Sequence, residues 1–483
     1  MSTTHVELRP GAYADSVALL QVSRAVQALP GVASAQVAMA TGLNVEVLSG
    51  MGFEVPAHAG PNDMVVALRL DGDGDLDAAL AGVAAALADA GRRGSTSAEL
   101  APHRTTAAAL REVPPGEDAV VLVSVPGPSA VVEAVDAIEA GCDVMVFSDN
   151  VPLADEVALK RAAAERGVLV MGPDCGTAVV GGVGLGFANV VAPGPVGVVA
   201  ASGTGAQQVL ALLDHAGVGV THAYGVGGRD LSAEVGALAT REALRRLDAE
   251  PGVERVLLVS KPPAEAVAAD VGALADSLAT PVATAFLGAG HPDLTAATET
   301  LLGDLGVAVP DWPVAGTARP PHPGRGRAVR GLFVGGTLCT EARLVVEGLL
   351  GADGGHLFTD FGDDEYTSGR AHPMIDPTLR TEEVVRAAAD PAIGVLLLDV
   401  VLGHGAEPDP AASLAPVLAG LEVPVVVTVV GTAGDPQDHA HQVRALTETG
   451  AEVHLSNAGA ARRAAELAGA ADHPTRLTQE SAR

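Results

Sequence analysis

From residue 119 onward, apolar runs of strand length alternate with stretches of helical spacing. The runs at 119–125, 144–147 and 168–171 are near-continuous, and each is followed by a helical stretch. Parallel strands covered by helices on both faces read this way, because neither face is left for polar residues. A second unit places strands at 196–200, 220–224, 256–259 and 282–286, and a third at 332–334, 395–398 and 425–430. The pattern predicts an α/β protein with several Rossmann/flavodoxin-like, doubly wound parallel sheets. The first 95 residues differ. Short strands at 6–8, 35–39 and 64–70, with helical spacing at 14–28 and 76–90, predict a small α+β domain. Pro- and Gly-rich stretches at 102–116 and 310–327 read as connectors. The domains are therefore expected at 1–100, 117–193, 194–310 and 329–483, with a linker at 311–328. The second and third units open alike, with an apolar strand, a Gly/Ser/Thr turn and a helix, which predicts two related lobes.

Composition narrows the function classes. Hydrophobic residues make up 48% of the 483 positions and charged residues 18%, so each domain can build a core. Lys plus Arg is 29 against 59 Asp plus Glu, a formal charge of -30. That excludes the broad basic surface of a nucleic-acid binder, and an anionic membrane surface would repel the chain. No apolar run reaches the ~18 residues of a membrane span, and no basic head with an apolar leader opens the chain. Cys142, Cys175 and Cys339 are odd in number and far apart, which fits a reducing cytosol. The expected location is cytoplasmic. Lysine is confined to Lys160 and Lys261, while arginine is common. A lysine kept in such a chain hints that a compact ammonium is wanted. Lys160, on a helix, reads as a solvated face; Lys261, at a strand end before Pro262 and Pro263, reads as a site residue.

Candidate chemistry gathers at the strand ends. After the strand at 196–200 come Ser202, Gly203, Thr204 and Gly205, then a helix. Glycines admit a ligand to the backbone, and a helix N-terminus presents free N–H groups, so this is a phosphate or carboxylate cradle or an ordinary helix cap. It has no Gly-Lys-Ser/Thr and is not a Walker loop. Gly335, Gly336 and Thr337 repeat the design in the third unit, with Cys339 as a packed small residue. Gly228 and Arg229 follow the strand at 220–224, where Arg229 either clamps a carboxylate or forms a solvated pair with Asp230 in a flexible turn. Gly172, Pro173, Asp174, Cys175 and Gly176 follow the strand at 168–171 and form either a rigid turn or a cleft wall. The densest polar stretch, 360–380, holds Arg370 and His372, the latter a candidate acid or base. Its Asp363, Asp364 and Glu365 offer carboxylates but no full metal-ligand set, and no metal site is expected. His404 is a weaker candidate.

These segments together resemble the succinyl-CoA synthetase superfamily, in the turn at 172–176, the helix start at 202–204 and the Gly-rich turn at 225–230. Within it, the blocks at 147–151, 171–177, 201–205, 227–231, 260–267 and 369–380 resemble the FdrA family over nearly the whole chain. The resemblance implies a CoA-binding-like domain, an alpha-type ligase lobe and a beta-type ligase lobe. It implies a subunit of an oxamate carbamoyltransferase, which exchanges carbamoyl between phosphate and oxamate in allantoin breakdown, with separately encoded companion subunits in an oligomer. Small anionic substrates are the expected ligands, phosphate and carbamoyl phosphate among them, and no cofactor is firmly implied. The superfamily's supporting glutamate falls near Lys261, its phosphorylated histidine near His291 without matching flanks, and its Gly-rich CoA loop is missing. The implied mechanism holds the phosphate at residues 202–205 and 336–340 beside Lys261, holds oxamate with Arg229 or Arg370, and moves a proton through His372. The alternatives are an NDP-forming acyl-CoA synthetase subunit acting through a phosphohistidine with a nucleotide-binding partner, and a non-catalytic scaffold.

Overall fold

The computed structural model describes residues 3–469, apart from 11, 13, 15, 61–62, 73, 94–102, 115–118, 289, 323 and 368–370. The chain falls into two compact units, taken in turn. In the N-terminal unit, strands Thr3–Pro10, Val32–Met39 and Asp63–Leu70 form an antiparallel sheet with the third strand in the centre. The alternation of Asp63–Leu70 sorts its side chains onto two apolar layers. Met64, Val66, Leu68 and Leu70 pack with Leu19, Val22 and Val83 of helices Ser16–Gln27 and Leu76–Arg93. Val65 and Ala67 pack on the other face against Leu48 and Phe53.

The second unit carries three sheets. A small parallel sheet joins Val120–Val123, Asp143–Val146 and Val170–Met171. The next has Val282–Phe286, Arg255–Ser260, Val196–Ala200 and Val220–Gly225 in parallel, in that order. An unanticipated hairpin, Thr177–Val180 with Val183–Gly186, then pairs antiparallel at the edge through Ala223 and Val179. The expected boundary at 193 is thus crossed: the hairpin covers an edge that would otherwise expose unpaired backbone groups. The third sheet runs Val314–Ala315, Glu452–His454, Val425–Val430, Ile393–Val401, Ala328–Phe333, Leu357–Asp360. The expected linker therefore supplies an edge strand, with Val314 opposite His454.

Helix Gly203–His215 lies between the two large sheets. Residues 205–213 are buried without interruption, as a helix covered on all sides requires. Its leucines share one core with Leu338, Ala342 and Val346 of helix Gly336–Leu350 and with Ala460 and Ala464 of helix Asn457–Leu467. Buried amides sew the lobes together. Gln207 donates to the Leu402 carbonyl at 2.9 Å and Gln208 to that of Leu455 at 3.0 Å. Glu341, 1% exposed, accepts the Leu294 N–H at 2.6 Å and the Asn457 side-chain amide at 2.7 Å.

Burial, reinforced by Asp293, pushes the Glu341 carboxyl up to about 7. The folded chain holds this proton more tightly than the unfolded one. The stability it contributes is therefore complete below about pH 4.5 and is lost as pH rises toward 7. Urea unfolding of the wild type should lose roughly 2 kcal/mol more than Glu341→Gln between pH 5 and 7.5. Parallel pH profiles of the two proteins would refute this assignment.

Candidate functional site

Strand Val196–Ala200 delivers Ser202 to the start of its helix, where Ser202 Oγ accepts the Gly205 N–H at 2.9 Å. Strand Ala328–Phe333 does the same for helix Gly336–Leu350, whose capping residue Gly335 has no side chain to offer. Here Asp399 braces the turn from beneath. Its carboxylate accepts Val334 N–H at 2.8 Å and Gly335 N–H at 2.9 Å, and Arg380 donates to it at 3.2 Å. Burial raises Asp399 to about 6 despite the arginine.

The two helix starts abut. A Cβ built on Gly335 would stand 2.7 Å from Thr204 Oγ1, and one on Gly205 3.0 Å from Thr337 Cγ2. Two helix N-termini brought together sum their partial positive charges and point unpaired N–H groups toward a common space. Thr337 is 2% exposed, and its hydroxyl has no hydrogen-bond partner among the described residues. Such a junction is disfavoured when empty and favoured with an anion present.

Two side chains from other strand ends, and one from the segment before helix Thr378–Ala389, complete it. A Cβ on Gly336 would lie 3.1 Å from Lys261 Nζ and 2.2 Å from Asp360 Oδ2. Lys261 leaves the end of Arg255–Ser260, and Asp360 closes Leu357–Asp360. The exposed Lys261 forms no ion pair among the described residues. Asp360 Oδ1 accepts the Gly362 N–H at 2.9 Å, and burial raises this carboxyl to about 6 against the pull of Lys261. His372 Nε2 approaches the same Gly362, at 2.8 Å from a Cβ built there. The His372 Nδ1 accepts the Met374 N–H at 3.2 Å, so the neutral ring carries its proton on Nε2. Burial, with the Phe187 ring tilted against it at 5.7 Å, lowers His372 to about 4. His372 is therefore a neutral hydrogen-bond donor, and the base role expected of it does not fit this tautomer.

The other expected residues divide. The turn carrying Asp174 and Cys175 does reach the site's edge, since a Cβ on Gly203 would meet Thr177 Oγ1 at 3.3 Å. Cys175 itself is 2% exposed, donates to the Thr177 carbonyl, and is raised to about 12 by burial; it is a packed thiol. Burial raises Cys339 likewise. Gly228 lies on the same turn as Arg229. The Arg229 clamp is corrected: its guanidinium donates to the Val151 carbonyl at 2.8 Å, and its Nε lies 2.9 Å from Glu156 Oε2, a charge contact without an aligned hydrogen bond. Lys160 is corrected more sharply. It is 2% exposed, and its ammonium meets Glu156 Oε1, the Val226 carbonyl and Asp230 Oδ1, each at 2.8 Å. Arg370 lies outside the described residues. His404 and His291 are exposed. Among the described residues, no group of His, Cys, Asp or Glu is arranged to hold a metal ion, and no helix is long and apolar enough to cross a membrane.

Asp360 and Asp399 were not singled out from the sequence. Asp399 had a readable signal, a lone carboxylate inside the apolar run Ile393–Val401. Asp360 had less, because its strand is four residues long.

Comparison with known proteins follows this architecture. Residues 1–102 match the family described as AllF, heavy metal-associated domain, and residues 332–467 match the CoA-ligase family. The Escherichia coli (strain K12) protein YahF is 34% identical over 492 aligned positions, covering 92% of this chain and 95% of YahF. The succinate–CoA ligase [ADP-forming] subunit alpha-2 of Trichomonas vaginalis is 28% identical over 145 positions, 29% of this chain and 46% of that one. Among solved structures, an acetyl-coenzyme A synthetase from Ca. Korarchaeum cryptofilum covers 77% of this chain and 89% of its own, at 16% identity and a TM-score of 0.29.

Proposed function

This chain belongs to the family of Escherichia coli YahF, and on that premise we propose that it is a subunit of an acid–thiol ligase-type enzyme that holds the phosphate of an acyl phosphate where its two lobes meet. The observation that carries the reading is the abutment of the two helix starts, at Thr204 with Gly335 and Gly205 with Thr337, beside Lys261. The match of residues 332–467 to the CoA-ligase family and the partial likeness to succinate–CoA ligase alpha subunits support it.

In this chemistry a nucleophile attacks the acyl carbon, the bond from carbon to the phosphate oxygen breaks, and the electron pair leaves with phosphate. The chain's own part is electrostatic. The N–H groups at the helix starts and the Lys261 ammonium hold the phosphate as its charge grows, and the His372 Nε2–H is a further donor. CoA supplies the thiol in such ligases. A Cβ on Gly127, at the start of helix Gly127–Glu139, would strike the Asp149 and Asn150 backbone, so that glycine serves chain packing. In this reading a partner subunit brings the nucleotide.

One observation favours a second reading, direct carbamoyl transfer between phosphate and oxamate as in the FdrA family. The exposed His291 ring has no carboxylate partner among the described residues to support a phosphohistidine. The deciding experiment incubates the chain and its companion subunits with ATP, and separately with oxalurate and phosphate. Acid-labile phosphate on His291 is the result expected for the ligase. Phosphorolysis of oxalurate without phosphoenzyme would establish carbamoyl transfer instead, and neither product would remove both.

A further inference from the structure

The anion site carries a carboxyl group that the electrostatics of simple phosphate binding do not call for. Asp360 Oδ2 points at the first residue of helix Gly336–Leu350, at the point that Lys261 Nζ also approaches, yet the two form no ion pair among the described residues. Its other oxygen is committed to the Gly362 N–H. A carboxylate beside two helix N-termini and an ammonium adds negative charge where an anion must bind. It is tolerable only if a proton lies between it and that anion.

We propose that Asp360 is the specificity residue of this site, accepting a hydrogen bond from a protonated oxyanion and thereby selecting hydrogen phosphate, or a phosphate monoester or acyl phosphate that retains a P–OH, over a fully ionised oxyanion such as sulfate. The inference rests on the anion site of the proposed function and deepens it. The groups facing Asp360 set when the selection operates. Burial opposes its ionised form, as do Asp363 and Asp399, while the Gly362 N–H and Lys261 favour it; the protonated Cys339 thiol and neutral His372, meeting it at Gly362, add no charge. Above about pH 6 the side chain is a carboxylate that only accepts. Sulfate then has no proton to give, whereas phosphate still carries one. Below about pH 6 the carboxylic acid donates, and either anion is accommodated.

The test is calorimetric titration of the full chain with inorganic phosphate and with sulfate, at pH 5 and pH 8. The wild type should prefer phosphate over sulfate by at least ~10-fold at pH 8, and the preference should shrink at pH 5. Asp360→Asn, which keeps the Gly362 contact and fills the same volume, should gain sulfate affinity and lose the pH dependence. Lys261→Ala should weaken both anions together and leave their ratio unchanged. Equal phosphate and sulfate affinities in the wild type at pH 8, or a selectivity that survives Asp360→Asn, would overturn the inference and leave the anion site standing. Binding of neither anion at either pH would remove the site itself.

Discussion

Lys261→Ala should weaken inorganic phosphate binding by ~10- to 100-fold, the range for losing one charge-assisted hydrogen bond. It should lower turnover of the assembled enzyme by ~10²–10³, because an ammonium aimed at a departing phosphate acts most strongly as charge develops. The same variant should keep the wild-type melting temperature, since Lys261 is exposed and forms no ion pair among the described residues. That contrast separates a site residue from a structural one. Lys261→Arg should recover only part of the loss. Lys261 Nζ and Asp360 Oδ2 both approach Gly336, and a planar guanidinium spreads its donors more widely than a compact ammonium at that point. Full activity in Lys261→Ala would show that the phosphate is held elsewhere.

The second lysine should behave in the opposite way. Lys160→Ala leaves Glu156 and Asp230 buried without their shared cation, and removing one partner of such a cluster costs ~3–5 kcal/mol. Asp230 also accepts Ala239 N–H, Thr240 N–H and the Thr240 hydroxyl, so it caps helix Leu238–Ala249 from a distant turn. The damage should therefore spread from helix Leu153–Arg166 to the turn at 225–230 and on to that helix. Chemical denaturation should show the full loss, and Lys160→Arg should not repair it. Three acceptors at 2.8 Å around one nitrogen suit a tetrahedral ammonium and not a guanidinium. A variant as stable as the wild type would mean that the ammonium merely balances the cost of its own burial.

The contrast between the two lysines shows how much could be read in advance. Scarcity of lysine flags both positions; Lys160 sits among three acceptors at 2.8 Å, and Lys261 Nζ stands beside Gly336. Lys160 nevertheless reads as a solvated residue because it lies on a helix, and the structure pairs it there with Glu156 one turn earlier. What buries them is the turn at 225–230, whose Asp230 is 70 residues away in the chain. Similarly, the four parallel strands of the second sheet fall within a residue or so of their expected limits, because strands buried on both faces are unbroken apolar runs. The hairpin Thr177–Gly186 and the short strands Val314–Ala315, Leu357–Asp360 and Glu452–His454 were not read. Glycine-rich or very short segments have no periodicity to detect.

The order of residues was enough to establish the parallel α/β layers, the small N-terminal sheet, and the pairing of a Gly/Thr turn with a helix in each lobe, since these depend on neighbours a few positions apart. Folding alone settled that the two turns meet at Thr204 and Gly335, that Asp360 joins Lys261 there, that Arg229 is taken up by Glu156 and Val151, and that burial leaves His372 a donor. Proton affinity and partner choice depend on which distant groups share a desolvated space, and spacing along a chain carries no record of that.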